Sequence, residues 1–292
     1  MPRKRRRTGG VIVEELDDDA PAPPLPQRRR VPAGGAGPAA AAAAAPSPAA
    51  TADGGAGVSR ADHRETSDAA IRDIAHVLRA LAPCCLPPGA PPSELRLWDP
   101  YYCQGTVKVH YARHGFPLCH NRREDFYAVA RRGSLPPHDV LATNPPFSAD
   151  HIERALGFCA GNGAVPWVML LPSNVLGRAW WGEMAVRIQR GGAAAPPMFL
   201  APTRQPYEFD HRRPSGGGAG PKRARGAKQK KGHAPSAAPP LDTIWFIGGL
   251  KPAWARAVRE SFESAPPEKC VLALTEAELP LPIRRSNGGG VT

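Results

Sequence analysis

Short apolar runs alternate with segments of helical periodicity along the middle of this chain, and this alternation limits its fold more than any other feature. The run at residues 167–171 contains no polar residue, which is typical of a strand covered on both faces. Residues 67–82 show helical spacing instead, because Ile71, Ile74 and Leu78 recur three and four residues apart. The repeated order of strand and helix predicts an α/β protein with a mostly parallel, doubly wound sheet.

Further apolar runs predict the other strands of this sheet. They lie at residues 95–98, 116–119, 138–143, 198–201 and 243–247. The last two can pair as a terminal antiparallel hairpin, because the segment between them is long and polar and loop tips tolerate such insertions.

Composition separates the predicted folded part from segments without a core. The chain has 36 Pro and 30 Gly, concentrated near the N-terminus and around residues 211–240. Segments with so few apolar side chains cannot offset the entropy lost on ordering. We predict a disordered tail at 1–65, a folded domain at 66–283 with a disordered insertion at 211–240, and a flexible tail at 284–292.

Most of the positive charge lies in these predicted disordered segments. Residues 212–231 carry eight Lys or Arg and no acidic residue, in a chain of formal net charge +12. Basic clusters of this kind indicate nuclear import or nucleic-acid contact, and flexible basic arms bind phosphates without sequence preference. We therefore expect a nuclear, or more narrowly nucleolar, protein that contacts nucleic acid through arms 3–7 and 222–231. The alternative is a charge run that only keeps a tail in solution.

Two other patterns argue against further classes of protein. The chain has no apolar stretch of about 18 residues and no apolar signal core near its N-terminus, so no membrane association is expected. Its six cysteines include no Cys-x-x-Cys pair, which fits neither a metal site nor a disulfide framework. We expect reduced thiols in an intracellular reducing compartment.

An Asn-Pro-Pro-Phe corner follows the predicted strand 138–143. The Asn144 side chain and the Pro145 carbonyl can accept hydrogen bonds from a planar NH2 group and direct its lone pair toward a methyl donor. Pro145 and Pro146 remove backbone donors, and Phe147 can stack on a flat substrate. These four residues are the candidate catalytic group; a plain Pro-Pro turn is the alternative.

Candidate cofactor contacts follow the first two predicted strands. Ligands of open α/β sheets bind beyond the carboxyl ends of the strands. Asp99 ends the first strand, and Gly105 allows close backbone approach before a helix. Asn121, at the end of the second strand, can meet ribose hydroxyls. Asp125 can bond an adenine amine and Phe126 can cover its face, although an aspartate here is often only a cap or turn former.

Two of these segments resemble motifs of S-adenosylmethionine-dependent amino-methyltransferases of the N6-adenine type. Residues 97–105 resemble their first motif, Asp-Pro-x-x-Gly. Residues 139–147 are similar to their fourth, Asn-Pro-Pro-aromatic, about 45 residues later. The resemblance covers roughly 66–210 and 241–275, and it implies a Rossmann-like methyltransferase fold with S-adenosylmethionine as cofactor. The chain departs from the family in having a single glycine in the first motif and an amide where an acid usually binds ribose.

The resemblance also implies roles for individual residues. Asp99 and Gly105, with Pro100 and Tyr101 between them, would border the methionine part of the cofactor, and Asp125 would face its adenine. The Asn-Pro-Pro-Phe corner would hold the target amine.

The motif alone does not choose among planar amines. Adenine N6, cytosine N4 and protein glutamine N5 all fit it. The basic arms favour adenine in a nucleic acid, and RNA is favoured over DNA because no sizeable target-recognition domain is visible and single strands need no base flipping. A protein partner for substrate recognition is a further expectation. A glutamine N5 methyltransferase and a non-catalytic nucleic-acid-binding protein with this fold are the alternatives.

Overall fold

The computed structural model describes residues 65–162, 165–190, 194–209, 242–280 and 283. The predicted insertion 211–240, the tail 284–292 and all of the tail 1–65 except its last residue lie outside these ranges. The helices of the described part are α1 (Asp68–Cys85), α2 (Val107–Arg113), α3 (Phe126–Arg132), α4 (His151–Gly161), α5 (Trp181–Arg190) and α6 (Pro252–Ser264). Its strands are β1 (Leu97–Trp98), β2 (Cys119–His120), β3 (Val140–Thr143), β4 (Trp167–Pro172), β5 (Met198–Pro202), β6 (Thr243–Gly248) and β7 (Cys270–Ala273).

These strands form one mixed sheet in the order β2-β1-β3-β4-β6-β5-β7. Strands β1 to β4 are mutually parallel, β6 is antiparallel to both β4 and β5, and β7 is antiparallel to β5. Five strands, β1 to β5, therefore run in one direction. The predicted α/β class with a mostly parallel sheet is confirmed.

The predicted hairpin is also present, but it is not terminal. Phe199 of β5 pairs with Phe246 of β6 in antiparallel register. The edge of the sheet is instead β7, which the sequence patterns did not predict. This strand is a run of only four apolar residues, two of them half-buried, and apolar periodicity alone cannot distinguish so short a run from part of a helix.

Alternate residues of every strand except β2 contribute to two separate hydrophobic cores. On one face the sheet packs against α1, α2 and α6, with Trp245 and Tyr111 among the buried residues. On the other face it packs against α3, α4 and α5, around Trp98 and Phe246. This alternation is the two-residue period of β structure with both faces covered. None of the described helices is long and apolar enough to cross a membrane.

Two helices differ from the sequence predictions. Helix α1 begins after Ser67, whose hydroxyl accepts a hydrogen bond from the Ala70 amide at 3.4 Å, but it continues past Pro83 to Cys85. A proline removes one backbone donor, yet the Leu86 amide still closes the last turn on the Ala82 carbonyl. Helix α3 has only seven residues, and the sequence patterns did not predict it.

The strand order reverses at β1. From β1 the chain passes to β2 on one side, and it then returns to β3 on the other side of β1. The loops that leave β1 and β3 consequently separate at this point and open a crevice, which is where ligands of doubly wound sheets bind.

Candidate functional site

Two clefts flank the loop that follows β1. The first cleft spans about 230 Å³, part of it open to solvent, and is lined by Glu65, Thr66, Asp99, Tyr101, Cys103, Val107 and Asn144. The second cleft spans about 190 Å³, part of it open to solvent, and is lined by Trp98, Asp99, Pro100, His120, Arg122, Glu124, Phe126 and Val129. Asp99 borders both. The predicted residues Asp99 and Tyr101 thus meet the predicted Asn144 in one cleft at the sheet's reversal point.

Asp99 is the central acid of this site. Its side chain is only 4% exposed, and its Oδ1 accepts hydrogen bonds from the Thr143 hydroxyl at 2.5 Å and the Tyr101 amide at 3.2 Å. Burial raises the pKa of Asp99 to about 7, and the nearby Glu65 carboxylate adds to this rise, while the two hydrogen bonds oppose it. A cationic group beside Asp99 would favour its ionised form.

Glu65 is a second buried carboxylate of the first cleft, and sequence reasoning missed it. It was assigned to the disordered tail, whereas in the structure it is 3% exposed. Its Oε1 accepts a hydrogen bond from the Thr106 amide at 2.7 Å, just before α2. No local pattern marks this residue, because its partner lies 41 positions away in the chain. Two buried carboxylates in one cleft suit a positively charged ligand group.

Gly105 does not offer open backbone to a ligand in this structure. Its φ is +78°, a conformation that favours glycine, and an added Cβ would lie 2.8 Å from the ring of Tyr102. The absence of a side chain therefore makes room for Tyr102 rather than for a ligand.

Asn121 lies beneath the β1 loop rather than in either cleft. It is 1% exposed, and its Nδ2 donates to the Asp99 carbonyl at 3.1 Å and the Tyr101 carbonyl at 3.4 Å. The predicted contact with a ribose does not follow from this placement, because the amide group already holds the loop. His120, the preceding residue, lines the second cleft instead.

The predicted adenine contacts Asp125 and Phe126 begin α3. Asp125 is exposed and caps this helix, since its Oδ1 accepts from the amides of Tyr127 at 2.8 Å and Ala128 at 3.2 Å. The alternative interpretation of Asp125, as a helix cap without a ligand role, therefore fits the geometry. Phe126 is buried between the rings of Trp98 and Tyr101, but it also lines the second cleft. It can thus form part of a ligand wall.

The Asn-Pro-Pro-Phe corner follows β3 as expected. The Oδ1 atom of Asn144 is buried and this residue lines the first cleft. Pro145 is buried, whereas Pro146 and Phe147 are half-buried. The Phe147 ring packs edge-to-face with Phe209, at a centroid distance of 5.9 Å and an interplanar angle of 80°. This contact brings the end of segment 203–209 to the Asn-Pro-Pro-Phe corner.

Hydrogen bonds between side chains link Tyr101 to Tyr127 and Tyr127 to His151. The Tyr101 and Tyr127 hydroxyls share a hydrogen bond of 3.1 Å, and the Tyr127 hydroxyl is 2.7 Å from His151 Nδ1. The Arg154 guanidinium lies 3.6 Å from the centre of the Tyr127 ring. Burial raises the pKa of both tyrosines, so their hydroxyls stay protonated and serve to orient Tyr101.

Comparisons of the chain with protein-family models, with curated proteins and with solved structures found no match. Function must therefore be inferred from the geometry of the two clefts.

Proposed function

We propose that this protein is an S-adenosylmethionine-dependent N-methyltransferase with a Rossmann-like fold that acts on a planar amino nitrogen, with adenine N6 in RNA, or secondarily DNA, as the favoured target. The observation that carries this proposal is the convergence of Asp99 and Asn144 on the first cleft. Asp99 directly follows β1 and Asn144 directly follows β3, so a ligand and a planar amine held by them would meet at the reversal point of the sheet.

The residues of the clefts fit the chemistry of the cofactor. S-adenosylmethionine carries an ammonium group and a sulfonium centre, and these positive charges suit the first cleft with its carboxyl groups Asp99 and Glu65. Its adenine and ribose suit the second cleft, where Phe126 and Val129 supply apolar walls and His120 and Glu124 supply polar groups. The two clefts lie on either side of the loop that follows β1 and share Asp99, so a cofactor of this length would extend across both. When bound, it supplies an electrophilic methyl group.

The protein's own groups then act on the target amine. The Asn144 Oδ1 and the Pro145 carbonyl accept hydrogen bonds from the two N–H groups. They thereby keep the nitrogen lone pair directed out of the conjugated plane and stabilise the positive charge that develops on nitrogen. No catalytic base is assigned, because the methylated amine can lose its proton to water.

Transfer of a radiolabelled methyl group tests this function. We expect the purified full chain to bind S-adenosylmethionine in calorimetry and to label single-stranded RNA, or DNA, at adenine. Asn144→Ala should abolish labelling while its thermal unfolding stays close to wild type. Its matched control is Asn162→Ala at the end of α4, which should label normally. Undiminished transfer by Asn144→Ala would contradict the assignment.

The same experiment separates the alternatives. Labelling of a protein that survives nuclease treatment would identify glutamine N5 as the target. A non-catalytic nucleic-acid-binding protein is the second candidate. The packing of Tyr102 over Gly105 favours this candidate, because the Tyr102 ring fills space beside the loop that follows β1, where a cofactor would bind. Absence of cofactor binding together with retained RNA binding would support that candidate. Nuclear residence and contact through the basic arms stay predictions from the sequence.

A further inference from the structure

Residues 203–209 carry an aromatic side chain from a distant strand to the Asn-Pro-Pro-Phe corner. They follow β5, which is separated from β3 by both β4 and β6. At about 4.8 Å between neighbouring strands, the chain must cross roughly 14 Å of strand ends to reach β3. Six extended residues can span about 20 Å, and Phe209 completes the crossing by packing against Phe147.

Three hydrogen bonds hold this 203–209 segment in place. At its start, the Thr203 amide donates to the Lys269 carbonyl at 3.0 Å, and the Thr203 hydroxyl donates to the Glu268 carbonyl at 3.2 Å. Near its end, the buried Tyr207 hydroxyl donates to Asp73 Oδ2 on α1 at 3.1 Å. The Phe209 ring is therefore supported two residues away by a buried hydrogen bond, which reduces the entropy lost when a ligand binds against it.

Phe147 and Phe209 together form an aromatic corner. Their rings are nearly perpendicular and both side chains are half-buried, so each also has exposed surface. A flat heteroaromatic ring that stacks on one of them meets the other edge-to-face, and both geometries are favourable for aromatic pairs. A glutamine side chain has no ring and gains neither contact.

We propose that Phe209 is a specificity-determining residue that, with Phe147, makes the site selective for a nucleobase over an amide side chain. This inference rests on the proposed function, which assigns the target amine to the Asn-Pro-Pro-Phe corner. Phe147 belongs to the motif itself, whereas Phe209 comes from a different part of the chain and lies 62 positions later.

A fluorescent base tests the corner without requiring methyl transfer. The probe is a short single-stranded RNA with one 2-aminopurine, whose emission is quenched when the base stacks on an aromatic ring. We expect the full wild-type chain to quench it. Phe209→Leu, which keeps apolar bulk but has no ring, should weaken binding roughly tenfold, in the range of one lost base–aromatic stack. Phe209→Tyr should bind as wild type does, and Leu118→Ala, an exposed apolar truncation just before β2, is the matched control.

The outcomes separate this inference from the proposed function. Equal quenching by Phe209→Leu and wild type, or no quenching by the wild type at saturation, would overturn the aromatic corner. If quenching depends on Phe209 but no methyl transfer is ever found, the proposed role of the aromatic corner is supported and the methyltransferase assignment is contradicted. If the wild type methylates RNA and Phe209→Leu does so with an unchanged KM for RNA, the methyltransferase assignment is supported and the proposed role of Phe209 is contradicted.

Discussion

Thr143, the last residue of β3, donates its hydroxyl hydrogen to the buried carboxylate of Asp99, the first residue after β1. This bond joins the two strand ends between which the sheet reverses its order. It also orients the acid that borders both clefts, so the geometry of the candidate site depends on a side chain that lines neither of them.

Thr143→Val tests the importance of this bond. Valine has the same shape as threonine but cannot donate, so a buried carboxylate loses one of its two hydrogen bonds. We expect a loss of about 1–3 kcal/mol in the free energy of unfolding, measured in urea. Thr143→Ser keeps the hydroxyl and should lose less. Equal stability of the valine variant and the wild type would show that the bond contributes nothing.

The pKa of Asp99 predicts a specific dependence of stability on pH. Because the folded pKa is raised to about 7 from an ordinary 3.8, the folded state holds a proton that the unfolded chain releases between these values. The contribution of Asp99 is therefore fully present below pH 3.8, and it is lost as pH rises toward 7.

Asp99→Asn isolates this effect. The difference in unfolding free energy between wild type and Asp99→Asn should fall as pH rises from 4 to 7, by at most about 1.4 kcal/mol per pH unit. Urea titrations of both proteins across this range measure it. A difference that grows with pH would mean that the folded state instead favours the carboxylate.

Gly105→Ala should destabilise the β1 loop for two separable reasons. Alanine is strained at a φ of +78°, and its Cβ would lie 2.8 Å from the Tyr102 ring. We expect a combined cost of roughly 1–3 kcal/mol. In the double variant with Tyr102→Ala the steric part disappears, so the two changes should cost less together than the sum of the single changes. If the stability loss of the double variant equals the sum of the losses of the two single variants, Tyr102 does not pack against residue 105.

Gly248→Ala should be destabilising, whereas Gly157→Ala should not. A Cβ at Gly248 would lie 2.2 Å from the Trp167 ring on the neighbouring strand, while one at Gly157 in α4 meets nothing within 4 Å. Overpacking at Gly248 should cost about 1–3 kcal/mol or more. Gly157→Ala should stabilise the protein by roughly 0.5–1 kcal/mol through helix propensity. Thermal unfolding of both variants provides the comparison, and similar melting temperatures would contradict this packing.

The sequence by itself determined what depends on local pattern. Apolar runs predicted β1, β3, β4, β5 and β6, and the predicted ends of β1 and β3 placed Asp99 and Asn144 at the same edge of a sheet. This inference needed no tertiary contact, because all parallel strands point their carboxyl ends the same way.

Only the tertiary structure decided which residues complete the site. Glu65 joins the first cleft by accepting a hydrogen bond from the Thr106 amide. Asn121, which was expected to meet ribose hydroxyls, turns inward under the loop that follows β1. Segment 203–209 crosses the strand ends and brings Phe209 to Phe147. Each of these placements depends on a contact between residues 20 or more positions apart in the chain. Hydrophobic periodicity and turn chemistry act over a few residues, so they identify the strands of this protein and their ends but not the side chains that meet above them.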